Sequence, residues 1–331
     1  MSKGADIYGW TYVSGWAAAL ESEMLPASFF EQMLDMAEVG DVFYSLTDTP
    51  VRDEFGEVED MLQADARVRG FYDGVLERMR ASSPSPQVID MLRVQREIRS
   101  FKNFVKRRIM GLEVPPVASR YGDGVWELLW EGAPTEVPPY FQPVVGKARQ
   151  ALASQPERPE VLDAAFDGAC LRALCDAAWL TGSSFIVEYY RRYDTAKGVE
   201  LLWRARAMGL GEEVERLLVE GRQDHVLFAA LEQSEQERWP SAIASAMPGL
   251  DIGRVAAAEG LGRVQSFTRA GEEWLMAFAR DARFVPFGPE RVFGCAVGLM
   301  AEAGNLVLAV AGRANGIAPD LLRLRLRTCY V

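Results

Sequence analysis

Apolar residues recur every three to four positions over stretches too long for strands. Phe29, Phe30, Met33, Leu34, Met36 and Ala37 form one such run, and this spacing collects them on one face of a helix. The same period dominates most of the chain, so the pattern predicts an all-α protein. Ser28 followed by Glu31 has the form of a capping box ahead of that run, because each side chain can satisfy a free amide at a helix start. Ser85-Pro86 is expected to open another helix, since proline there gives up no useful donor. Prolines also punctuate the middle of the chain. Pro115, Pro116, Pro134, Pro138, Pro139 and Pro143 make 114–145 an interrupted connection with a short helical piece around Trp126 to Trp130. A second break falls at Pro156 and Pro159. Asp53, Glu54, Glu57, Glu59 and Asp60 surround Gly56 and read as a solvated loop.

A repeated ending carries more information than any single segment. Arg108-Ile-Met-Gly111-Leu112, Arg206-Ala-Met-Gly209-Leu210 and Arg313-Ala-Asn-Gly316-Ile317 each close a long helical pattern, with the glycines 98 and then 107 residues apart. Glycine adopts the left-handed cap, the next apolar residue folds back on the last turn, and arginine lies near the open carbonyls. An acidic residue stands several turns upstream in each copy: Glu97, Asp194 and Glu302. The spacing points to a triplicated helical unit.

Composition narrows the function classes. The 331 residues are 49% hydrophobic and 25% charged, long enough for two or three domains. A net charge of −11 argues against a nucleic-acid partner, so an anionic partner has to meet a local patch. Cys170, Cys175, Cys295 and Cys329 form no CxxC pair and are too sparse for a disulfide framework, which fits a reducing cytoplasm. The segment Met1 to Tyr8 has no apolar signal-peptide core. Cys295 to Gly312 is the most membrane-like stretch, but it is short and carries Glu302, so it reads as a buried helix.

Little in the chain points to catalysis. His225 is the only histidine and lacks the co-ligands or nucleophile that such chemistry needs. Gly146-Lys147-Ala148 lacks both the upstream glycine and the hydroxyl of a phosphate loop. No metal, cofactor or catalytic residue is therefore expected. The basic run Arg93, Arg96, Arg99, Lys102, Lys106, Arg107 and Arg108 is a better lead, with Arg99, Lys102 and Lys106 spaced to share one helix face. They are the candidate partner contacts; the alternative is an ordinary solvated face. Phe101, Phe104 and the eight tryptophans, including Trp126 and Trp130, read as packing.

The repeat resembles that of the C-subunit family of the bacterial and archaeal V-type (A-type) ATPase, related to the d component of the vacuolar proton pump. That family repeats an acidic residue, often asparagine three positions on, then basic residues and a Gly-Leu ending. Glu302, Asn305, Arg313, Gly316 and Ile317 are the nearest copy; Glu97, Ser100, Arg107, Arg108, Gly111 and Leu112 carry serine for asparagine. Asp194, Lys197, Arg204, Arg206, Gly209 and Leu210 carry lysine there and one extra residue before glycine. Tyr12, Leu20, Glu21, Leu25 and Phe29-Phe30 agree with the family start, Leu46-Thr-Asp-Thr-Pro50 with its Leu-x-x-Thr-Pro-Tyr segment, and Arg323 to Val331 with its basic, leucine-rich end. Gly15-Trp16-Ala17-Ala18 stands where the family has basic residues.

The resemblance implies three similar helical domains in a pseudo-threefold, funnel-shaped arrangement. Their expected spans are 1–124, 125–213 and 214–331, with the N- and C-terminal segments able to pack together. It also implies a non-catalytic, peripheral coupling role on the cytoplasmic face, between the D and F subunits of the rotating shaft and the membrane proteolipid ring. The chain is expected to be a monomer in isolation. The alternative is a helical repeat scaffold that binds another acidic protein outside the rotary complex.

Overall fold

A computed structural model describes residues 7–36, 38–52, 61–115, 117 and 119–331. The described residues form helices and no strands. In chain order the helices are α1 (Ile7–Glu23), α2 (Ala27–Asp35), α3 (Val39–Ser45), α4 (Met61–Ser82), α5 (Gln87–Arg108), α6 (Asp123–Glu131), α7 (Gln142–Ser154) and α8 (Pro159–Leu180). They continue as α9 (Ser184–Ala207), α10 (Glu212–Val219), α11 (His225–Glu232), α12 (Trp239–Ala246), α13 (Ile252–Ala256), α14 (Gly260–Arg280), α15 (Pro289–Ala314) and α16 (Pro319–Arg323). The expected break at 114–145 contains α6 as its short helical piece, and Pro159 opens α8. Ala37 and the acidic segment around Gly56 lie outside the described residues.

The start of α2 differs from its sequence signature. Pro26 is extended, with φ −74° and ψ 162°, and its carbonyl accepts the amide of Phe29 at 3.0 Å, so the helix opens before Ser28 can cap it. No side chain caps this end. Glu31 pairs instead with Arg323 on α16, Oε2 to Nε at 2.9 Å.

The chain divides into two compact units, 1–90 with 272–331 and 91–271. In the first, α15 is the central element, with α1, α2, α3, α4 and α16 packed around it. Its length and apolar character would suffice to cross a bilayer, yet 67% of its most apolar window is buried within the protein. The N-terminal helices and the last helices of the chain thus share one core, built from Val13, Ala17, Phe30, Met33, Val75, Phe293 and Leu306. Close approach to α15 requires glycine: a Cβ on Gly298 would lie 2.6 Å from the Cβ and Cγ of Tyr330.

In the second unit, α8 is covered by α7, α9 and α10. Because α8 meets neighbours on several sides, it is apolar around most of its circumference rather than along one stripe. Aromatic rings fill the rest of this core. Phe101 lies 5.3 Å from Trp126 and 5.6 Å from Phe166, and Trp203 lies 5.3 Å from Trp239 and 5.6 Å from Phe267. Phe101 and Phe104 are buried as expected. Trp179 is not a packing residue: it is 69% exposed at the end of α8, beside Leu180 at 65%.

Candidate interaction surfaces

The three glycine endings all turn through a left-handed glycine. Gly111, Gly209 and Gly316 have φ of 69°, 64° and 68°, the left-handed cap that a side chain would strain. Leu210 N–H reaches the Ala205 carbonyl and Gly209 N–H the Arg206 carbonyl, at 3.0 and 3.1 Å. Ile317 to Gly312 and Gly316 to Arg313 repeat these bonds at 2.9 and 3.0 Å. The first copy is one residue wider, with Leu112 N–H bonded to the Lys106 carbonyl at 2.9 Å.

The upstream acids are buried, and each accepts one backbone amide and one side-chain donor. Glu302 on α15 takes Leu25 N–H at 2.6 Å and the Tyr72 hydroxyl at 2.5 Å. Asp194 on α9 takes Gln223 N–H at 3.0 Å and the Arg222 guanidinium at 2.5 Å. Glu97 on α5 takes Arg120 N–H at 3.2 Å and the Ser119 hydroxyl. These amides lie just before α2, α11 and α6, respectively. The arginine of the glycine ending then closes the far end in two copies. Arg313 donates to Met36 O at 2.5 Å just past α2, and Arg206 donates to Glu232 O, at the end of α11, and to Ser234 O, just past it, at 3.4 and 3.1 Å. A long helix thus holds a short one by an anion at its N-terminal side and a cation at its C-terminal side, the signs that a helix dipole favours. In the first copy the equivalent Arg108 is exposed, and its neighbour Arg107 pairs with Asp123 at 2.9 Å.

These acids differ electrostatically. Arg222 and Asp194 form a fully buried pair, with side-chain exposures of 0% and 1%. Burial raises the Asp194 pKa despite Arg222 and depresses that of Arg222 despite Asp194. Glu302 accepts two neutral donors, and burial pushes its carboxyl up to about 7. It lines a cavity of about 650 Å³ in the first unit with Trp16, Tyr72, Arg52, Arg78, Thr47 and Thr49. The Leu46 to Pro50 segment therefore borders the same cavity. Arg78 lies over the Trp16 ring at 5.7 Å, while Ala17 beside Trp16 is buried against α15, where its carbonyl accepts Cys295 Sγ at 3.5 Å.

The basic residues of α5 do not share one environment. Lys102 Nζ lies 2.9 Å from Asp167 and 3.2 Å from Asp163, and Lys106 Nζ lies 2.7 Å from Asp163. Their side chains are only 18% and 15% exposed, so they fasten α5 to α8. Arg99 is exposed. His225 is the first residue of α11, whose N-cap is Asp224, with its carboxylate accepting Leu227 N–H at 3.0 Å. Burial raises the Cys170 and Cys175 thiols to about 12, which keeps them protonated at neutral pH.

Other exposed apolar side chains cluster near chain turns: Ile109 and Leu112 at the first glycine ending, Met208 at the second, Ile317, Leu321 and Leu324 at the third, and Phe284 between α14 and α15. Sequence comparison decides the lineage, because the profile of the ATP synthase (C/AC39) subunit matches residues 13–325. The chain belongs to the ATP synthase (C/AC39) subunit family. The match spans all three glycine endings and their buried acids, so a C/AC39 subunit is the setting in which these features have to be read. Its role is that of a stalk subunit of a rotary ATPase. No curated protein matches the chain significantly.

Proposed function

We propose that this C/AC39 protein couples the D and F subunits of the rotating shaft to the membrane proteolipid ring, without catalysing a reaction itself. The observation that carries this reading is the recurrence, three times within the matched span, of a long helix with a buried acid and a left-handed glycine end. A torque-bearing part needs stiff, closely packed elements with their polar groups satisfied. The aromatic cores supply the packing, and the buried acids and their partners tie the short helices to the long ones. Three similar modules in a pseudo-threefold, funnel-shaped arrangement are part of the same proposal. The sequence boundaries at 124/125 and 213/214 fall inside α6 and α10, so we assign the module limits to the turns that flank the long helices. The protein acts peripherally at the cytoplasmic face of the membrane and needs no cofactor or nucleic acid. Affinity purification from native membranes, followed by mass spectrometry, tests this role. Recovery of shaft and ring subunits is the expected result; recovery of the protein with no rotary subunit overturns it.

A further inference from the structure

We infer that the segment from Ile317 to Arg327 is a preorganised docking edge for an acidic, amphipathic protein segment. Leu321 and Leu324 are 57% and 67% exposed, with Ile317 at 38% beside them. Arg325 and Arg327 are exposed too. Their guanidinium groups make no ion pair among the described residues, whereas the nearby carboxylates Glu31, Asp35 and Asp320 are all engaged by Arg323. The segment itself carries Arg323, Arg325 and Arg327 against Asp320 alone, so it is basic as well as apolar in a chain whose net charge is −11.

The backbone beneath this edge is held in place. Asn305 on α15 accepts Arg327 N–H at 2.8 Å and donates to Arg327 O at 3.0 Å, a two-point grip on one residue. Gly304 leaves room for the Arg327 guanidinium, which would lie 3.2 Å from a Cβ there. Beyond it, Arg280 holds the carbonyls of Cys329 and Tyr330, and the Tyr330 ring is 2% exposed against Gly298. Leu322 is buried on α15 at Gly312. Anchored on both sides, the edge presents its leucines and arginines with little entropy left to lose on binding. Guanidinium forks favour carboxylates, and leucines three positions apart match the apolar stripe of a helix. An anionic bilayer is a poorer fit, because a plane would bring the acidic body of the protein within the screening length, whereas a narrow segment meets only the edge.

The test uses the full-length protein and a fluorescent synthetic helix that alternates a leucine stripe with glutamates, together with its lysine counterpart. The acidic peptide is expected to bind, and its affinity to fall about fivefold for each arginine removed in Arg325→Gln and Arg325→Gln/Arg327→Gln, the factor equivalent to about 1 kcal/mol per charge. Raising salt from about 50 to about 300 mM should weaken it further. Leu324→Ser should weaken it without altering the salt slope. Melting curves of all variants should match the parent, which separates lost docking from lost folding. Equal binding of parent and arginine variants, or equal binding of the acidic and basic peptides, overturns the inference. So does binding to vesicles holding about 30% phosphatidylglycerol with no binding to the peptide, which reassigns the edge to a membrane. The peptide assay does not depend on assembly, so its failure counts against the edge alone and leaves the rotary role to the purification experiment.

Discussion

Replacing Glu302 by glutamine should remove most of one pH dependence of stability. The carboxyl ordinarily titrates near 4.5 and is pushed to about 7 in the fold by burial, which outweighs the two hydrogen bonds from Tyr72 and Leu25. Between these values the folded chain holds a proton that the unfolded chain has released. The stabilisation from Glu302 is therefore fully present below pH 4.5 and is lost as pH rises through 7. At about 1.4 kcal/mol per pH unit the gap amounts to roughly 3 kcal/mol, or about 6–12 °C in melting temperature for a unit of this size. Glutamine keeps a carbonyl for Leu25 N–H and can donate to the Tyr72 oxygen, so Glu302→Gln stays close to isosteric and has no charge to desolvate. Urea titrations of both proteins from about pH 4.5 to pH 8, followed by circular dichroism, give a difference curve in which other titrating groups largely cancel. The variant should gain on the parent as pH rises, with most of the gain below pH 7.5. Parallel curves across the whole range would refute the claim that burial, rather than hydrogen bonding, dominates this site.

Three further outcomes follow from the packing. Arg222→Met should cost about 3–5 kcal/mol by leaving Asp194 buried without its cation, and Asp194→Asn/Arg222→Met should regain a large part of it; denaturant midpoints check both. Gly298→Ala should expel Tyr330 from α15, seen as faster proteolysis of the last residues, while Gly15→Ala, with open space at its Cβ, should stay near neutral. Arg99→Glu should leave the melting temperature unchanged, whereas Lys102→Glu/Lys106→Glu should lower it by several degrees, because the new carboxylates face Asp163 and Asp167.

The helices and their glycine ends were legible because both are local: a 3.6-residue period and a left-handed cap depend on neighbours a few positions away. The acids were visible as a recurrence, but their partners were not. Leu25 and Tyr72 lie 277 and 230 residues from Glu302, and no local spacing indicates such a pairing. The basic face of α5 shows the same limit. A helical spacing of three and four says which side chains share a face, but not that α8 brings Asp163 and Asp167 to it. Ser28 and Glu31 had the spacing of a capping box, and the extended Pro26 in front of them moved the helix start.

One motif can hold its neighbour with different chemistry because the requirement is geometric. The position needs a carboxylate that reaches the amide before a short helix; the second donor varies from Ser119 to Arg222 to Tyr72. The position three residues on shows similar latitude. Ser100 bonds the Val117 carbonyl at 3.3 Å and Asn305 grips Arg327, while Lys197 pairs with Glu200 on its own helix at 2.7 Å. In the first and third copies that residue ties down the segment returning from the glycine end; in the second, α10 packs against both α8 and α9 and holds the return itself. Substituting Asn305 should therefore loosen the edge around Arg327, whereas Lys197→Ala should leave its return segment in place. Hydrogen exchange of the two segments distinguishes these outcomes, and equal loosening would mean that the residue at this position acts through its own helix rather than through the returning chain.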